Sequence, residues 1–148
     1  GWSAAQFAVA GILAFDLFGG VAVNASAPAR AFYHGPGRGR RDHLAFVMAH
    51  ALHVCLVAWL FRGSDWGYAA GLSALLLAAT LGVLSIPPRH RRAAALLAYA
   101  AVLSAMPLVP PTPGLEWFVP VLFLKLLLAY LLGTLHPLET AVAARLPT

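Results

Sequence analysis

Residues 44–61 read LAFVMAHALHVCLVAWLF, a run that contains no Asp, Glu, Lys or Arg. A helix of about 20 predominantly apolar residues crosses the hydrocarbon core of a bilayer. Four further apolar runs lie at residues 2–23, 66–86, 93–109 and 117–135. These runs are too long and too uniformly apolar for barrel strands, so the sequence predicts a bundle of five transmembrane helices.

The composition favours the same class of protein. Of the 148 residues, 61% are hydrophobic and 10% are charged, whereas a soluble domain carries about 45–50% apolar and about 25% charged residues. A water-soluble fold of this length could not hide so much apolar surface. We therefore expect one all-α integral membrane domain over residues 1–148, in the plasma (inner) membrane of a bacterium.

The basic residues predict the orientation of the helices. Eight arginines lie in the first loop, the third loop and the C-terminal tail, and five spans put all of them on one side. The positive-inside rule makes that side cytoplasmic, with the N-terminus outside and the C-terminus in the cytoplasm. The run 93–109 is short and proline-terminated, and four spans result if it does not cross. The eight are Arg30, Arg38, Arg40, Arg41, Arg89, Arg91, Arg92 and Arg145.

Four ionisable residues fall inside the predicted spans: Asp16, His50, His53 and Lys125. At 1.5 Å per residue, each lies roughly 10–15 Å from the nearer membrane surface. Ionisable groups at that depth are costly and usually face a bundle interior or a water-filled cavity. Asp16 is the only acidic residue at a depth comparable with that of Lys125, so the two are candidates for an ion pair.

We interpret these four residues as a candidate catalytic set. Histidine gains and loses protons near neutral pH, and a carboxylate and an ammonium beside it extend this acid–base chemistry. The sequence therefore favours a small membrane-embedded enzyme acting on a lipophilic substrate, although it does not decide that the protein is an enzyme. We expect the set to line a polar pocket at mid-membrane depth that opens toward the cytoplasm. Candidate substrate-binding residues are Asn24 in the lining of this pocket and Tyr33, His34 and Glu139 near its mouth.

Metal or cofactor binding is an alternative role for part of this set. The spacing of His50 and His53 places two imidazoles on one helix face, and Asp16 would be a third ligand. The flanking Glu of the zinc protease motif is missing, however, and a single His could also ligate haem. No cofactor is preferred.

Other functions remain open at this stage. The protein could be a proton-linked transporter or channel working as a homo-oligomer, or a structural or cofactor-binding subunit of a larger membrane complex. Its expected partners are membrane lipid and a lipophilic small molecule or ion. Nucleic acid is not expected, because no basic helix or stacking platform accompanies the positive charge.

Overall fold

A computed structural model describes residues 1–132 of the chain, and within this range the regular structure is entirely helical. A 3₁₀ turn spans Met106–Leu108. Glu139, Arg145 and the last three residues of the run 117–135 lie outside the described residues. The helices are α1 (Ala4–Asn24), α2 (Ala27–Tyr33), α3 (Arg40–Ala49), α4 (Ala51–Phe61), α5 (Trp66–Ser85), α6 (Pro88–Ala105) and α7 (Phe118–Phe123), which continues into a π-helical segment, Leu124–Tyr130.

Three helical stretches are long and apolar enough to cross a membrane: Ala4–Asn24, Arg40–Phe61 and Trp66–Ser85. The second of these consists of α3 and α4 in succession. Helix α6 begins with several arginines and is less apolar, and the apolar stretch Phe118–Tyr130 is shorter. The fold is thus a helical bundle with three apolar stretches of a length and composition compatible with a membrane protein.

Local signals explain where several of these helices begin. Ser3 and Gln6 form a capping box at the start of α1, which satisfies two backbone N–H groups that lack a partner in the first turn. Gly63 and Ser64 both adopt a positive φ, which reverses the chain between α4 and α5. Asp65 then accepts a hydrogen bond from the backbone N–H of Tyr68 and caps α5.

The core of the bundle lies around α7 and the π-helical segment. Ten of the fourteen residues from Phe118 to Leu131 are buried, and the other four are partly buried. This central element packs against α1 on one side and against α6 and α5 on the other, while α3 and α4 pack against α5. The polar Lys125 therefore lies in the middle of the bundle, 3% exposed.

Contacts between helix ends define two ends of the bundle. At one end, Arg40 at the start of α3 donates a hydrogen bond to Ser85 at the end of α5. We call this the basic end, because the arginines of residues 30–41 and 89–92 flank it. At the opposite end, the Trp2 ring packs 5.1 Å from the Phe61 ring. Arg62 lies there, and we call it the Arg62 end.

Candidate functional site

Three of the predicted catalytic residues meet at one carboxylate oxygen. The Lys125 Nζ lies 2.6 Å and the His53 Nε2 lies 2.9 Å from Oδ2 of Asp16. The side chains of Lys125 and His53 are 4% and 20% exposed, whereas that of Asp16 is 43% exposed. The ion pair therefore has a buried cationic member and an acidic member that opens onto the flank of α1.

The fourth predicted catalytic residue, His50, joins this group through His53. The two imidazole rings stack with their centroids 5.0 Å apart and an interplanar angle of 14°. The Nδ1 of His50 lies 2.9 Å from the backbone carbonyl oxygen of Phe46. Since a carbonyl only accepts, that nitrogen carries the hydrogen. His50 thus has a fixed ring orientation but no direct contact with the carboxylate.

The tautomer of His53 follows from the same reasoning. An ionised carboxylate only accepts hydrogen bonds, so the Nε2 of His53 donates to Asp16. The Nδ1 of the neutral ring then carries the lone pair. This Nδ1 is buried and has no hydrogen-bond partner within residues 1–132. Asp16 orients His53 in the way that a carboxylate orients a catalytic histidine.

Two of the three helical stretches that carry site residues depart from regular α-helical geometry at those residues, whereas α1, which carries Asp16, is a continuous α-helix. The chain turns at His50 between α3 and α4, and the backbone N–H of His53 bonds to the carbonyl three residues earlier. Lys125 lies in the π-helical segment Leu124–Tyr130. Single π turns within α-helices are rare and occur frequently at functional sites. The coincidence of both irregularities with ionisable residues supports a functional role for the group.

A glycine on α1 makes room for the lysine. A Cβ atom built on Gly20 would lie 2.8 Å from the Nζ and 2.9 Å from the Cδ of Lys125. The adjacent Gly19 has open space instead. One helical turn after Gly20, the predicted substrate-binding residue Asn24 is 5% exposed, and its Nδ2 has no hydrogen-bond partner among residues 1–132.

A second group, the His–Tyr cluster, lies toward the basic end and consists of Tyr33, His34, His43, Phe46 and Tyr130. The Nε2 of His34 donates to the backbone carbonyl of Tyr130 over 2.9 Å, and the Nδ1 of His43 lies 3.1 Å from the Tyr130 hydroxyl. The rings of His34 and His43 stack 4.6 Å apart. Tyr33 and His34, predicted at the mouth of the pocket, belong to this cluster.

The ring of Phe46 joins the two groups. Its centroid lies 4.0 Å from that of Tyr130 and 5.0 Å from that of His50. A continuous series of ring contacts therefore runs from His34 at the basic end to His53 at the carboxylate.

Sequence reasoning missed Tyr130 and gave His43 no role in the site. The seven-residue spacing of His43 and His50, two helical turns, was an available signal. Tyr130 follows Lys125 by five residues, which a regular α-helix would turn to different faces. The i→i+5 bonding of a π-helix brings residues five apart onto one side. No pattern of apolar residues predicts the change from α-helix to π-helix at this point.

Burial dominates the electrostatics of His34. Loss of hydration and the neighbouring His43 lower the pKa of His34 from 6.5 to about 4, against the opposing effect of its hydrogen bond to the Tyr130 carbonyl. His34 is consequently neutral at physiological pH. It serves there as a hydrogen-bond donor and a stacking partner rather than as a fixed positive charge.

The arrangement favours an ion-pair network over a metal site. Within residues 1–132, no group of three or more His, Cys, Asp or Glu side chains is placed to hold a metal ion. The predicted use of Asp16, His50 and His53 as metal ligands therefore gains no support from this geometry.

Comparisons with protein-family models, with curated proteins and with solved structures found no match for this chain. The apolar helices indicate the class of protein, and the geometry of the site indicates its function.

Proposed function

We propose that this protein is a membrane-embedded enzyme of the bacterial inner membrane that uses Asp16, His53 and Lys125 for acid–base chemistry on a lipophilic substrate. In this proposal the five apolar runs cross the membrane, with the basic end in the cytoplasm. The observation that carries the proposal is the asymmetry of the Asp16–Lys125 pair: the lysine is buried and the carboxylate opens onto the flank of the bundle.

The cost of that opening argues for a functional reason. A charged group at membrane depth is expensive and is usually turned inward toward a partner or a cavity. Asp16 has two partners, yet its side chain stays 43% exposed. The neighbouring Leu13 and Leu17 on the same helix are buried. A carboxylate on that flank is accessible to a molecule that diffuses within the bilayer.

The two oxygens of the carboxylate have different surroundings, which suggests how it would act. Both Lys125 and His53 bond to Oδ2, and no donor within residues 1–132 bonds to Oδ1. Oδ1 is therefore the atom available to accept a proton from a substrate. In that step a substrate O–H or activated C–H bond breaks, the proton bonds to Oδ1, and the electron pair stays on the substrate.

The remaining residues would stabilise the charge that this step creates. The Lys125 ammonium and the Nε2–H of His53 are donors beside the carboxylate, and a low-dielectric site strengthens their attraction for a developing anion. His53 has a free Nδ1 lone pair and can take up or return a proton. Positioned acid–base groups of this kind contribute roughly 10²–10⁴-fold to a rate.

The experiment compares variants in lipid nanodiscs incubated with a total bacterial lipid extract, followed by untargeted mass spectrometry. Wild-type protein should convert at least one lipophilic compound, and Asp16→Asn should slow that conversion by about 10²–10⁴-fold. Asp65→Asn is the matched control, because Asp65 is an acid of the same size at the Arg62 end. Identical mass-spectrometric profiles for wild type and Asp16→Asn would refute the proposal that the protein is an enzyme.

A proton-linked transporter is the second candidate, and the series of ring contacts from His34 to His53 favours it. Histidine and tyrosine groups that lead from a membrane surface toward a carboxylate are elements of proton relays, and in this series the apolar ring of Phe46 separates Tyr130 from His50. Proteoliposomes with a pH-sensitive dye inside test this candidate. A proton flux that Asp16→Asn abolishes, without chemical conversion of any lipid, would favour transport over catalysis.

A further inference from the structure

A cavity lies at the Arg62 end of the bundle, apart from the Asp16 site. It has a volume of about 700 Å³ and is lined by the first half of α5, the end of α6, the connection that follows α6 and the start of α7. Neither Asp16, Lys125 nor any histidine of the described residues lines it. Binding sites for small molecules typically occupy about 300–1,000 Å³.

The lining changes from polar to apolar along the cavity. Tyr68 in the first turn of α5 and Thr112 are polar lining residues near the end of the bundle. Leu72 and Leu75 follow on α5, and Leu75 lies roughly 10 Å further along the helix axis at 1.5 Å per residue. Val102 on α6 faces the same space. The cavity therefore suits a molecule with one polar end and one apolar chain.

The charge at the polar end is negative. Among residues 1–132, Glu116 is the only carboxylate or basic side chain that lines the cavity, and it is exposed. Its carboxylate accepts a hydrogen bond from the backbone N–H of Gly114 over 3.0 Å. Backbone N–H groups of Glu116 and Gly114 lower the pKa of this carboxyl below its ordinary value, so it is ionised at neutral pH.

The nearby arginine does not cancel that charge for a ligand. The Arg62 guanidinium bonds to Asp65, to the Pro110 carbonyl and to the Thr112 hydroxyl. It also lies 4.1 Å from the centre of the Tyr68 ring. The guanidinium is thus occupied by contacts within the protein, and Arg62 does not line the cavity.

We propose that this cavity binds a single-chain amphiphile with a cationic head, the head at Glu116 and the hydrocarbon chain between α5 and α6. Such a ligand matches the one negative charge at the polar end and the apolar wall beyond it. The inference stands independently of the enzyme proposed above, because the two sites share no residue.

Two glycines of α5 provide a matched pair of variants. A Cβ built on Gly71 or on Gly82 meets no atom within 4 Å, so both positions accept a larger side chain. Gly71 lines the cavity and Gly82 does not. Gly71→Phe should fill the cavity, and Gly82→Phe should leave it open at the same cost in helix propensity. Similar thermal unfolding of both variants establishes that each is folded.

The probes are octadecylamine and octadecanoic acid, each with a photoreactive diazirine near the chain terminus, applied to protein in nanodiscs of zwitterionic lipid. After irradiation, mass spectrometry locates the labelled peptides. The amine should label residues 67–75 or 102–120 about fivefold more than the acid, the preference that one exposed charge pair provides. Glu116→Gln should remove this preference. Gly71→Phe should reduce labelling by the amine about tenfold, which corresponds to about 1.4 kcal/mol, and Gly82→Phe should not.

Two results would overturn the proposal. Equal labelling of the wild type by amine and acid would show that the cavity does not select a cationic head. Labelling that survives Gly71→Phe would show that the chain lies elsewhere, as ordinary bilayer lipid would. Neither result bears on conversion of a substrate at Asp16, so failure here and failure of the enzyme proposal are distinguishable.

Discussion

Replacement of Gly20 with alanine tests whether the contact between Lys125 and Asp16 matters to the site. The lysine side chain crosses α1 at this glycine, where an added Cβ would lie 2.8 Å from Nζ and 2.9 Å from Cδ. Carbon atoms in favourable contact are about 3.5–4.0 Å apart. The end of the lysine therefore has to move away from α1.

The size of that movement can be worked out from these distances. Relief of the overlap requires a displacement of about 1 Å, if contact is restored at the usual separation. The Nζ–Oδ2 distance is 2.6 Å, so a displacement of this size away from Asp16 takes it beyond hydrogen-bond range. Overpacking typically lowers the free energy of unfolding by about 1–3 kcal/mol. Alanine in place of glycine within a helix raises it by about 0.5–1 kcal/mol. We expect a net destabilisation of about 0–2.5 kcal/mol.

Gly19→Ala is the matched control, since a Cβ at Gly19 meets nothing within 4 Å. It should stabilise the protein by about 0.5–1 kcal/mol through helix propensity alone. Infrared spectroscopy provides an assay that needs no substrate: the carboxylate band of Asp16, identified by subtraction of the Asp16→Asn spectrum, should shift in Gly20→Ala and not in Gly19→Ala. If both variants keep the wild-type band and unfold at the same temperature, the lysine does not depend on Gly20 and the reasoning is wrong.

Three further predictions concern stability. Asp16→Asn should lower the free energy of unfolding by about 3 kcal/mol and Lys125→Met by about 1 kcal/mol, because only Asp16→Asn leaves a buried ammonium without its counter-ion. A double-mutant cycle on thermal unfolding measures both costs, and equal values would contradict this prediction. The pKa of His34 falls from 6.5 to about 4 on folding, so between these two pH values the unfolded state binds more protons than the folded state. The protein therefore loses stability as the pH falls from 6.5 to about 4. His34→Gln should flatten this dependence, measured as unfolding temperature from pH 7 to pH 4, and an unchanged slope would argue against it. Arg62→Gln removes contacts to Asp65 and Thr112 and should cost about 1–2 kcal/mol. Amide hydrogen exchange should become faster at Thr112, Gly114 and Leu115, and unaltered exchange there would count against that role.

The helices that apolar length alone defines were predicted within a few residues. The run 2–23 corresponds to α1 (Ala4–Asn24), and the run 66–86 to α5 (Trp66–Ser85). The run 93–109 was placed too late in the chain, because α6 begins at Pro88 among the arginines. Hydropathy reports where side chains are apolar, whereas the start of a helix depends on capping and on proline at its first position.

The candidate site was predictable where it depended on depth, and not where it depended on local backbone geometry. Depth alone made Asp16 the only acidic candidate for Lys125, and the structure brings the two within 2.6 Å. The place of Tyr130 beside His43 depends on the π-helical segment. Such a turn is stabilised by the surrounding packing rather than by a sequence signal that can be read in advance.

The different exposure of Asp16 and Lys125 bears on whether the pair is structural or functional. A pair that only fixed the register of two helices would gain most with both members enclosed, where a low dielectric strengthens their attraction. Replacement of such a pair by apolar residues is often neutral or stabilising, so register alone is a weak reason to keep it. Here the lysine is buried, Asp16 is half-exposed, and both of its partners bond to Oδ2, so that Oδ1 has no donor among residues 1–132. That arrangement gives up part of the attraction and leaves Oδ1 free to react, which is what a site for a lipophilic substrate requires.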